Sequence, residues 1–197
     1  IGSKTAVRER VREYYAWLLI LEAAMLGVFL AKNLLFFYVA FEFTLVPMYF
    51  LIAGWGGSNR AAAAIKFFLY TFTGSMLTLA GLVYVAWRFA EASGGWSFDI
   101  PALTAFASTD LSAAEQFWVM LAMLAGFAVK VPLFPLHTWL PLAHTEAPTA
   151  GSVVLAGVLL KLGTYGFFRF VLPMTPVGVV EAVPVIGTLA TIGVIYG

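Results

Sequence analysis

Six stretches of this chain stay apolar for as long as a bilayer is thick, and that length constrains the fold more than any other feature. A hydrocarbon core of about 30 Å is crossed by roughly 20 apolar helical residues. Residues 14–31, 34–55, 61–90, 113–133, 149–172 and 177–197 all meet that requirement. The third is long enough to tilt or project, and the fourth runs into a proline-broken stretch that continues to about residue 146. Only 11% of residues are charged and 62% are hydrophobic, against roughly 25% charged in soluble domains. Too little polar surface exists to face water all round. The sequence therefore reads as all-α: a single polytopic transmembrane helix bundle with one discontinuous helix, its flanks in contact with the lipid bilayer.

Other classes drop out quickly. The chain has no cysteine, which excludes disulfides, thiolate zinc sites and iron–sulfur clusters held by its own residues. A net charge of +1, with no basic patch interleaved with aromatics, gives nucleic acid nothing to bind. The first residue is Ile1 and the last run, IGVIYG, is apolar, so a fragment of a longer chain is expected. Lysines and arginines favour a cytoplasmic N-terminal end: Lys4, Arg8, Arg10, Arg12 and Arg60 fall on one side, Lys32, Arg88 and Arg169 on the other.

The ionisable residues inside the spans carry the information about function. At 1.5 Å per residue, Glu42 lies about 12 Å into the second span, Lys161 about 18 Å into the fifth and Glu22 about 12 Å into the first. Lys130 stands where the fourth helix fails. A charge at the bilayer centre costs about 2.5–3.5 kcal/mol on insertion scales. Several in one short chain demand pairing in a protein interior, or water. Burial disfavours a charged lysine while a nearby carboxylate favours it. A lysine held between the two effects changes protonation when its partner moves, which is what a proton relay requires. The plainer reading is that such a pair only ties two helices together. Glu22 could equally face a neighbouring subunit. Arg88 and Lys66 lie near span ends and can snorkel to the interface, with Lys66 left open.

Prolines sharpen the pattern. Pro132 cannot bond the Ala128 carbonyl, Pro135 cannot bond that of Val131, and Pro47 cannot bond that of Phe43, next to Glu42. Unpaired backbone at membrane depth is tolerated only inside protein or beside water, so hydrated pockets are expected near Lys130 and Glu42. Ordinary proline kinks are the simpler alternative. His137, His144 and Glu146 follow the break at spacings that match no standard helical metal site, so no metal is assigned. Histidines between a buried lysine and the membrane surface suit proton passage near neutral pH.

The segments KVPLFPLHTWLPLAHTEAPTAGSVVLAGVLLKLGTYGFFR, FFYVAFEFTLVPMYFLIAGWGG and KFFLYTFTGSMLTLAG resemble the antiporter-like membrane subunits of respiratory complex I. Within that family the wording is most similar to the M-type subunit of bacterial NADH:quinone oxidoreductase and its mitochondrial counterpart. The resemblance covers roughly Leu34 to Phe170. It implies a bundle of about fourteen helices with two inverted five-helix repeats, of which this chain would hold the first and the opening of the second. It assigns proton transfer to Glu42, Lys130 and Lys161, on the family's fifth, broken seventh and eighth helices. The glutamate would tune the first lysine, and His137, His144 and Lys66 would support the path. It further implies that NADH, FMN, iron–sulfur clusters and quinone belong to other subunits, with no cofactor in this chain. Similar antiporter-like subunits would flank it in a bacterial inner membrane. The rival readings are a subunit of a multi-subunit cation/proton antiporter or membrane-bound hydrogenase, and a structural membrane scaffold that moves no protons.

Overall fold

The computed structural model describes Val7 and residues 9–196; Lys4 and Arg8 of the orientation argument lie outside the described residues. Among the described residues six helices are long and apolar enough to cross a membrane. They begin with α1 (Val11–Leu30). The second crossing is made by α2 (Leu34–Phe43) and α3 (Leu45–Trp55), separated at Thr44. Then come α4 (Arg60–Ser93), the short α5 (Ile100–Thr109) and α6 (Ala113–Lys130). After the break, α7 (Leu140–Glu146) leads to α8 (Thr149–Met174) and α9 (Pro176–Tyr196).

Local chemistry sets the joints. Asn33 caps α2 by accepting from the amides of Leu35 and Phe36, and Ser112 and Glu115 form a capping box at the start of α6. The stretch between the third and fourth spans, too short to cross a membrane, contains α5. Asp99 caps this helix through the Ala102 amide, and the Ile100 amide bonds the Lys32 carbonyl. Arg88, near the end of α4, pairs with Glu115 at 2.9 Å and Glu91 at 3.0 Å.

Lipid offers no hydrophobic drive to bring helices together, so close packing has to do it, and small residues permit that. The seam between α4 and α6 depends on Gly126, where a Cβ would stand 2.8 Å from the Gly74 carbonyl oxygen and 2.9 Å from the Ser75 Cα. Glycine is required by this approach of backbone to backbone. α8 closes on the end of α6 in the same way: a Cβ at Gly163 would meet the Phe127 carbonyl oxygen at 2.9 Å and the Lys130 Cβ at 3.0 Å. Between these seams Phe37, Phe41, Phe127 and Phe170 stack into one aromatic core.

Candidate functional site

Lys130 is the last residue of α6 and is 3% exposed. Its ammonium donates to the Thr44 hydroxyl at 3.2 Å and lies 4.0 Å from the centroid of the Phe41 ring, a cation–π contact. Thr44 is fully buried and its hydroxyl donates to the Phe41 carbonyl at 2.7 Å. It stands about 15 Å along the crossing from Leu34 to Trp55, so Lys130 is held near the half-way plane. Pro47 accounts for the interruption between α2 and α3. It has no N–H for the Phe43 carbonyl, while Thr44 itself keeps helical backbone angles (φ −60°, ψ −24°) and bonds the Ala40 carbonyl.

Glu42 sits two residues from Thr44. Both its carboxylate oxygens are buried without a hydrogen-bond partner, and it is within electrostatic range of Lys130. The two do not form a contact ion pair. The ion pairs among the described residues are Arg10–Glu13, Arg88–Glu91 and Arg88–Glu115. The site therefore holds a buried lysine on neutral ligands, with a buried carboxyl group in range and not in contact.

The break is better satisfied than the sequence suggests. The Ala128 carbonyl, expected free because of Pro132, accepts the Leu133 amide at 2.9 Å, since the chain turns sharply enough for the next available N–H to reach back. The Trp139 indole N–H reaches the Val129 carbonyl at 2.9 Å, and Lys66 donates from α4 to the Thr138 carbonyl at 2.8 Å. Lys66 therefore crosses to the break instead of only snorkelling.

The remaining candidates separate. His137 is half-buried, its Nδ1 has no partner, and its ring stacks on Phe134 with centroids 5.5 Å apart. His144 is exposed on α7. Glu146 serves the architecture: its carboxylate accepts the Asn59 amide at 2.8 Å, just ahead of α4, and its carbonyl accepts the Gly57 amide at 2.9 Å. Lys161, expected among the buried charges, is exposed on α8, because hydropathy fixes depth and not the face a residue takes. It lies between two π-helical turns, Leu155–Leu159 and Phe167–Val171, a feature common at functional sites. Gly163, two residues on, packs against the Phe127 carbonyl and the Lys130 Cβ. Glu22 is exposed on α1.

Sequence reasoning missed Thr44, Trp139 and a line of buried hydroxyls on α4, namely Thr71, Ser75 and Thr78. Their three- and four-residue spacing within TFTGSMLT was the available signal.

Comparison with known proteins gives a consistent result. The family described as NADH:quinone oxidoreductase/Mrp antiporter, transmembrane, matches residues 31–197. NADH-quinone oxidoreductase subunit M of Rhodobacter capsulatus is 48% identical over 100% of this chain and 39% of its own length. NADH-ubiquinone oxidoreductase chain 4 of Prototheca wickerhamii is 46% identical over 94% of this chain and 34% of its own. A chain in the structure of respiratory complex I from Thermus thermophilus with bound NADH superposes with a TM-score of 0.79 at 37% identity, covering 90% of this chain and 36% of that one. A chain of the membrane-bound sulfane sulfur reductase, an archaeal respiratory membrane complex, gives a TM-score of 0.67 at 29% identity, covering 79% of this chain and 24% of that one. This chain thus spans about two fifths of the length of the curated relatives it matches.

Proposed function

Because the chain belongs to the NADH:quinone oxidoreductase/Mrp antiporter transmembrane family, we propose that it forms part of a proton-translocating membrane subunit of an NADH:quinone oxidoreductase. Quinone reduction elsewhere in the complex would supply the energy. NADH, FMN, iron–sulfur clusters and quinone would be held by other subunits. The membrane is a bacterial inner membrane with the N-terminal end of this chain on the cytoplasmic side, and antiporter-like subunits lie on both flanks.

The observation that carries this reading is Lys130, buried near the half-way plane on a hydroxyl and a ring face, with the Glu42 carboxylate in range and not in contact. Neutral ligands leave the charge dependent on the distance to Glu42. When the carboxylate is ionised and near, the ammonium is favoured; when it is protonated or withdrawn, burial drives the proton off. The departing proton moves towards Lys161, whose helix closes on Lys130 at Gly163. Lys66 and Trp139 hold the break open in a fixed shape by satisfying its carbonyls. Pro132 and Pro135 enforce the break and Pro47 the turn at Thr44, while His137 and His144 extend the path beyond it.

The test is Glu42→Gln in the intact complex, reconstituted in proteoliposomes with assembly checked. Loss of both quinone-reductase rate and pH gradient supports the relay. Retention of both supports a scaffold that moves no protons. A second reading, a subunit of a multi-subunit cation/proton antiporter, is supported by the family's inclusion of Mrp antiporters. It gains if transport persists without any redox partner.

A further inference from the structure

Among the described residues four buried side-chain atoms lack a hydrogen-bond partner: both Glu42 oxygens, the Tyr38 hydroxyl and the His137 Nδ1. Three of the four fall at one place. Tyr38 precedes Glu42 by one turn of α2, so both project from the same face. Across from them on α4 is Ser75, 2% exposed, whose hydroxyl lies in interaction range of both Tyr38 and Glu42. Its Oγ also lies 2.9 Å from the Phe72 carbonyl, to which it donates, which leaves its lone pairs for a further donor.

Leaving three such atoms unpaired would cost about 1–3 kcal/mol each, and a buried water bonded to about three polar groups is the usual remedy. We propose that Tyr38, Ser75 and Glu42 form a water-holding site between α2 and α4, in which Tyr38 and Ser75 position the water that exchanges the Glu42 proton. The inference rests on the proposed proton-transfer role of Glu42. In the exchange the carboxyl O–H breaks as the water oxygen takes that proton, and the water gives up one of its own to the Lys130 side chain in its neutral amine form, which becomes the ammonium.

The surroundings set the direction of exchange. Beyond Tyr38, towards the start of α2, a cavity of about 20 Å³ is lined by Leu34, Leu79, Leu82, Val83 and Phe98. It has room for one water, but apart from Tyr38 its walls are apolar, so water is poorly held there. Exchange of water through that end is disfavoured by its apolar walls. In the other direction lie Thr44 and the Lys130 ammonium. The site thus serves the Glu42–Lys130 pair.

The experiment uses the intact complex in proteoliposomes with Tyr38→Phe, which keeps the ring, and Ser75→Ala as an independent second variant. Glu42→Gln serves to assign the Glu42 carboxyl band in infrared difference spectra. Each variant is expected to assemble, to shift that band, and to lower coupled proton translocation by about tenfold. The double variant should lose little more than either single one, because both act on one water. If the band and the rate are unchanged in both variants while Glu42→Gln abolishes coupling, the water site is wrong and the relay stands. If Glu42→Gln itself retains coupling, the proposed function fails and takes this inference with it.

Discussion

The two central lysines sit at similar depth in very different surroundings. Lys130 ends a helix, is almost wholly buried, and has its contacts supplied by α2 and the turn at Thr44. Lys161 lies within a helix, is exposed, and has a π-helical turn on either side. A cation in mid-membrane needs protein or water around it. For Lys130 these residues provide that environment in full; for Lys161 they provide the height and the approach to Lys130, and its exposed face takes its partner from whatever packs there. A relay needs such inequality. Two lysines held in the same way would exchange a proton with no preferred direction.

The comparison can be tested at several strengths. Gly126→Leu should have the largest effect, because a side chain there drives α4 from α6 beneath Lys130. A cost of about 3 kcal/mol or more is expected from overpacking, seen as loss of assembled complex on native gels. Thr44→Val should come next. It removes the hydroxyl that Lys130 bonds and should cut coupled proton translocation about tenfold, while Thr44→Ser restores it; equal activity of the two variants would break the account of the Lys130 side. Trp139→Phe strips the donor from the Val129 carbonyl. It should destabilise by about 1–3 kcal/mol, read as earlier thermal loss of the assembled complex. Lys66→Met should have the smallest effect. Its bond to Thr138 is exposed, so about 1 kcal/mol and no more than a severalfold loss of rate are expected.

What could be read from the sequence was whatever is local. The apolar runs set the six crossings, since length and hydropathy depend on consecutive residues, and the prolines at 132 and 135 located the break. α5 was missed because IPALTAFAST is too short to span a membrane and its cap comes from Asp99, which looks like loop chemistry. The repair of the break was also out of reach. Trp139 folds back ten residues, and Lys66 arrives from another helix. The depth of Lys130 and Lys161 was readable and their burial was not, because depth follows from counting residues while burial depends on which face a neighbour covers. Thr44 illustrates the same limit. Its role comes from two helices meeting, although its position between Glu42 and Pro47 marked it in retrospect.

The most direct test of the central claim is Lys130→Ala in the intact complex, in proteoliposomes, with quinone-reductase rate and pH gradient recorded together after assembly is confirmed. Both are expected to fall together, because a coupled path cannot run without its buried cation. An assembled complex in which both stay at the wild-type level would contradict the account and leave Lys130 a packing residue.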